Sequence, residues 1–174
     1  MVDFFIEKFT AIAQKYRGEY YFTEEIVGGI GGSDLPLSKH YINVPNQNRT
    51  ISFCIEFGGT AFATITTKVE NGNPYKKFQF KKTSPYILLF RKNKRSLIAR
   101  SNIDSFKHWV DNEIVKSGME KISFDTLFEP QIFFEKVGTE LNVKMMFSMA
   151  FENKENVIEP IIQFLRSLTV YLKS

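Results

Sequence analysis

Cysteine is nearly absent from this chain: Cys54 is the only one among 174 residues. A single thiol excludes an internal disulfide and a cysteine-rich zinc site. A lone cysteine in a strand is expected as a small core residue, and a reactive thiol is the less common role. Long apolar runs are also missing. A membrane-spanning helix needs roughly 18 or more consecutive apolar residues, and the chain has no such window, so no transmembrane segment is expected. The first residues, M-V-D-F-F-I-E-K, carry Asp3 and Glu7 where a secretory signal would have positive charge followed by an apolar run. The expectation is a cytoplasmic protein.

Signatures of known chemistry are lacking too. The chain has no G-x-S-x-G, no P-loop, no completed G-x-G-x-x-G between a strand and a helix, and no H-E-x-x-H. Zinc-finger and helix-turn-helix spacings are absent, as is the glycine pattern of an RNA-recognition strand. No cofactor and no metal site are expected, and an enzyme is the less expected outcome. One acid–histidine–acid row, Asp104, His108 and Asp111, has helical spacing and could orient a general base. Such a row is more often a solvated helix face with local charge pairs.

Phenylalanine, in contrast, is abundant, with 18 residues. With 43% hydrophobic and 24% charged side chains, the composition is that of a globular protein, and the length suits a single domain over residues 1–174. The stretch from Thr50 to Lys68 organises it. Two alternating apolar runs flank Gly58-Gly59, which reads as a two-residue hairpin loop with positive φ at both glycines. That register puts Ile51, Phe53, Ile55, Phe57 and Phe62 on the core face. It leaves Ser52, Cys54, Glu56, Ala61, Ala63 and Ile65 on the other.

Around this hairpin the pattern predicts a helix over 3–17, a meander over 40–101, a helix over 103–116, a hairpin over 131–147 and a helix over 157–172. The first helix shows Phe5, Phe9, Ile12, Ala13 and Tyr16 at helical spacing, with Asp3 as cap and Gly18 as stop. Tyr20 to Phe22 starts a short strand, and the glycine-rich run Val27–Pro36 is expected as a surface loop rather than an anion nest. The meander includes strands at 41–44, 76–81, 86–91 and 96–100. Ser101 or Asn102 caps the middle helix. The last helix carries the clearest stripe: Val157, Ile158, Ile161, Phe164, Leu165, Leu168 and Leu172. The expected architecture is α+β: an antiparallel sheet of about six to eight strands packed against N- and C-terminal amphipathic helices.

Charge is segregated along the chain. Residues 71–110 carry ten basic side chains and one acidic, while residues 1–70 and 111–174 are net acidic. Between Asn71 and Ile103 there is no acid at all, and nine cations: Lys76, Lys77, Lys81, Lys82, Arg91, Lys92, Lys94, Arg95 and Arg100. Tyr75, Phe78, Phe80, Tyr86 and Phe90 are interleaved. A basic surface with aromatics suits phosphates and bases, anionic lipid or an acidic protein. Lysines on outward strand positions also keep sheet edges from pairing with other chains. The reading is a non-enzymatic cytoplasmic binding or adaptor protein. Residues 76–100 would meet a protein partner or an anionic surface; nucleic acid is a third partner, without a motif for it. The alternative is a small-molecule or lipid carrier with an apolar cavity between the sheet and the C-terminal helix. An enzyme using His108 with neighbouring acids is the weaker alternative.

Overall fold

The computed structural model describes residues 2–28, 34–83 and 95–173. Among them are helices α1 (Val2–Lys15), α2 (Asp104–Ser117), α3 (Met119–Asp125) and α4 (Ile158–Lys173). The strands are β1 (Glu19–Gly28), β2 (Asp34–Asn46), β3 (Arg49–Phe57), β4 (Ala61–Glu70), β5 (Gln79–Lys82), β6 (Leu97–Arg100), β7 (Gln131–Val137) and β8 (Glu140–Ser148). The class is α+β and antiparallel, with amphipathic helices at both ends, as expected. The eight strands are divided between a six-stranded sheet, ordered β1-β2-β3-β4-β8-β7, and a two-stranded sheet, β5-β6. The chain leaves the large sheet after Glu70, where Asn71 adopts φ 53° and the Asn73 N–H bonds the Leu172 carbonyl at 2.9 Å. The C-terminal hairpin takes the place beside β4, with β8 paired along it from Phe62 to Glu70.

The central hairpin corrects the expected register. Phe57 pairs with Ala61, Ile55 with Ala63 and Phe53 with Ile65, so the loop is Gly58-Gly59-Thr60. Neither glycine takes the left-handed conformation; only Gly118 and Gly138 do so among the described glycines. Because side chains alternate strictly along a strand, the slip reverses the faces of β4. Ala63, Ile65 and Val69 are buried, and Phe62 lies opposite Glu56 on the outer face. Bulk complementarity explains the choice. Ala63 sits between Ile55 and Phe147, and Ile65 between Phe53 and Met145, so each small or branched side chain fills what its larger neighbours leave. Phe57 is half-buried and stacks on Phe5 of α1 at 4.7 Å, under the first helix.

One core row runs across all six strands: Tyr20, Ile42, Phe53, Ile65, Met145 and Ile132. Helix α1 covers β1 and β2, and α4 covers β4. Every residue of the predicted C-terminal stripe is buried. Its first turn is a 3-10 helix over Lys154–Val157, with Pro160 in the following α-helical turn, where its missing N–H is tolerated. Buried Asn46 of the β2–β3 turn donates to Thr169 of α4 at 2.9 Å.

Several boundaries differ from the pattern. The predicted short strands at 20–22 and 41–44 are parts of a long β1–β2 hairpin, paired from Glu19–Asn43 to Gly28–Asp34. Asp3 lies inside α1, not at its cap. The chain turns at Arg17, φ 57°. Gly18 is needed for proximity, because a Cβ there would overlap the Asn43 carbonyl oxygen. Ile103 is the N-cap of α2 and makes no side-chain cap bond. Gly118, φ 88°, ends α2 and starts α3, a helix the pattern missed. The predicted strand at 86–91 and residues 29–33 of the glycine-rich run lie outside the described residues; the rest of that run is not loop, since Val27 and Gly28 end β1 and Asp34 to Pro36 begin β2.

His40 is the one histidine of the core, at 0% exposure. Rings of Phe5, Phe9, Tyr20, Phe22 and Phe57 surround it at 5.4–6.4 Å. Burial pushes the Tyr20 phenol up to about 12, and its hydroxyl is hydrogen-bonded to His40 Nδ1 at 2.8 Å. The other ring nitrogen, Nε2, is buried with no hydrogen-bond partner among the described residues. Burial also lowers the His40 pKa below 6.5. Above pH 6.5 the ring is neutral in both folded and unfolded chains and contributes no pH dependence. Below it the unfolded chain takes up a proton that the folded one refuses, so stability falls until the folded-state pKa is passed. Thermal midpoints measured from about pH 7.5 down to 5.5, on either side of the ordinary histidine pKa, are expected to fall for the native chain and to fall less for His40→Gln. Equal slopes would mean that His40 is protonated where it stands.

Candidate binding site

A cleft lies where the two sheets meet. Its volume is about 770 Å³, and a smaller extension of about 250 Å³ continues it. One wall is the small sheet and its approach: Tyr75, Lys77, Phe78, Gln79 and Arg100. The other is β7, from Gln131 to Phe134. Lys107 of α2 reaches in beside Ser101 and Asn102. The floor is aromatic: buried Phe78 meets Phe80, Phe106, Phe134 and Phe164 at 5.0–6.1 Å. The rim is aromatic as well, with Tyr75 83% and Phe133 49% exposed. Among the described residues no carboxylate lines either part.

Alternation carries the basic side chains outward. Phe78 is buried and Phe80 half-buried, and Lys77, Gln79 and Lys81 between and beside them are exposed. The nine candidate cations then separate by role. Lys77 and Arg100 are exposed and line the cleft. Lys81 is exposed and Arg95 half-buried, neither on its wall. Arg91, Lys92 and Lys94 lie outside the described residues. Lys76 and Lys82 serve the fold. Lys76 Nζ donates to the Tyr171 carbonyl at 3.2 Å and sits 4.4 Å from the Tyr171 ring, clamping the loop after β4 to the end of α4. Lys82 Nζ donates to the carbonyls of Thr126 and Phe128, at 2.6 and 3.3 Å, at the C-terminus of α3. Burial lowers its pKa, with Glu129 opposing. Cations at a helix C-terminus meet the negative end of its dipole.

Lys107 and Phe133 complete the site and were not among the sequence candidates. Lys107 falls after Asp104, beyond the acid-free run, and Phe133 belongs to a hairpin more than thirty residues after Arg100. Lys107 is partly neutralised by Asp111, at 3.0 Å. Asp111 also accepts the Ala99 N–H at 2.7 Å, which commits that carboxylate to the edge of β6. Asp104 and His108 are exposed on the same helix, so the acid–histidine–acid row does not converge in a cleft. Among the described residues no group of three or more histidine, cysteine or acidic side chains could hold a metal ion. Cys54 lies on the outer sheet face rather than in the core, half-buried between Tyr41 and Thr64. Burial, then the charge of Glu56, pushes its thiol pKa up, away from the thiolate that nucleophilic chemistry needs.

No protein-family model matches the chain, no curated protein matches it, and no solved structure matches it. Among the described residues no helix is long and apolar enough to cross a membrane.

Proposed function

We propose that this chain is a non-enzymatic binding or adaptor protein whose partner presents negative charge to the cleft between the two sheets. The observation that carries the reading is the lining: Lys77, Arg100 and Lys107 above an aromatic floor, with Tyr75 and Phe133 at the rim and no carboxylate among the described residues. Exposed aromatics supply contact area at low entropic cost, and cations fix the sign of the partner. The carrier alternative has less support. A ligand-sized space under α4 would leave accessible surface on its lining, and Phe53, Ile65, Phe164 and Leu168 are each at 1% exposure or less.

The test is binding at low and high salt to an acidic peptide, to oligodeoxythymidine and to vesicles containing phosphatidylserine. Affinity for the cognate class is expected to fall as salt shortens the screening length from about 14 to about 6 Å. The double variant Lys77→Glu, Arg100→Glu is expected to weaken it by about tenfold or more, roughly 1.4 kcal/mol. Its thermal midpoint should change little, because exposed charges contribute little to stability. Unchanged affinity in the double variant would remove the cleft from consideration.

A further inference from the structure

We infer that the partner is an extended acidic polypeptide segment that pairs its backbone with the free edge of β7; this rests on the acidic-partner reading of the cleft. Four consecutive residues, Gln131 to Phe134, line the cleft. Side chains of successive strand residues point to opposite faces, so a surface that touches all four meets the strand at its edge, where the backbone is. Among the described residues β7 is the last strand of its sheet and is hydrogen-bonded on one side only, to β8; β5 of the small sheet lies near it without pairing with it.

The treatment of the other edges supports this assignment. The outer edge of β6 is closed by side chains: Glu120 accepts the N–H groups of Ser96 and Leu97, and Asp111 accepts that of Ala99. An unpaired edge is a template for another strand, and here carboxylates occupy it. At β7 no such side chain bonds the edge among the described residues, and cations stand opposite. β1, the other end strand of the large sheet, carries Glu19, Glu24 and Glu25, the last paired with Lys39 at 3.4 Å, against the single acid Glu135 on β7, so β1 is the less favourable edge for an acidic segment. Single-stranded nucleic acid would satisfy the cations and stack on Tyr75 and Phe133. It has no backbone that continues a β-ladder, so the edge contact would go unused. Strand addition uses it: main-chain bonds supply affinity, and side chains on alternate positions reach Lys77 and Arg100.

The probe is a capped peptide of about twelve residues alternating glutamate and valine, long enough to run beside a strand. A second version is N-methylated at alternate valines, which removes main-chain donors and keeps every charge. Binding is read by fluorescence polarisation, and backbone protection by amide exchange. The plain peptide is expected to bind, with slowed exchange within residues 131–137, and the methylated one to bind at least about tenfold more weakly. Equal affinity of the two peptides would overturn strand pairing and leave the acidic-partner reading standing. Binding of oligodeoxythymidine without binding of either peptide would overturn the inference in favour of nucleic acid. Binding of none of the probes at low salt would overturn both.

Discussion

Replacing Phe53 with alanine is expected to destabilise the protein by about 3–5 kcal/mol, and replacing Phe62 with alanine by less than about 1 kcal/mol. The two side chains are chemically identical and nine residues apart in one hairpin. Phe53 is 1% exposed in the middle of the row that crosses all six strands. Its loss leaves a cavity among Ile42, Ile65 and their neighbours that the sheet cannot collapse to fill. Phe62 is on the outer face, so alanine there removes contacts without opening the core. Because domains are stable by only about 5–15 kcal/mol, the first substitution removes a large share of the total. Urea denaturation reads the difference directly: the Phe53 midpoint should fall by more than about 1 M, at unchanged slope. Equal losses at the two positions would restore the two-residue loop and the opposite register.

Removing the Glu120 carboxylate is expected to be the costliest change at a polar side chain. Its two oxygens accept the N–H groups of Ser96 and Leu97, at 2.5 and 3.0 Å, and both residues are 1% exposed. Glu120→Ala leaves two buried donors without a partner, at about 1–3 kcal/mol each. Glu120→Gln keeps one acceptor and turns a donor toward the other N–H, so an intermediate loss is expected. The accompanying signature is local. Amide exchange at Ser96 and Leu97 should accelerate in Glu120→Ala before the large sheet shows any change. Unaltered protection at these two amides would mean that Glu120 is not what closes the edge of β6.

Elements with strong periodicity were legible without the fold. The stripe from Val157 to Leu172 requires a helix with one buried face, and every residue of it is buried in α4 and the 3-10 turn before it. The hairpin expected over 131–147 is formed by β7 and β8, and it turns at Gly138, φ 61°, a conformation glycine adopts without strain. The loop at Gly58 was not, since two glycines before a threonine are compatible with loops of two or three residues. The hydrophobic pattern of β4 alone does not choose between Phe62 outward with Ala63 and Ile65 inward, and the reverse. The partner strand β8 makes that choice, by offering Phe147 and Met145 where only Ala63 and Ile65 fit.

The same division holds for the cleft. Composition along the chain determined that residues 71–103 are basic, and alternation determined that Lys77 and Lys81 point away from Phe78. Which cations are free was decided by tertiary structure alone. Lys76 and Lys82 found helix-terminal carbonyls, and those carbonyls belong to α4 and to the residues that end α3. Lys107 and Phe133 entered from α2 and β7. Local sequence sets period and charge because these depend on neighbours a few residues away. A binding surface depends on which strand edges and side chains remain unpaired once all elements have packed, and that accounting closes only in three dimensions.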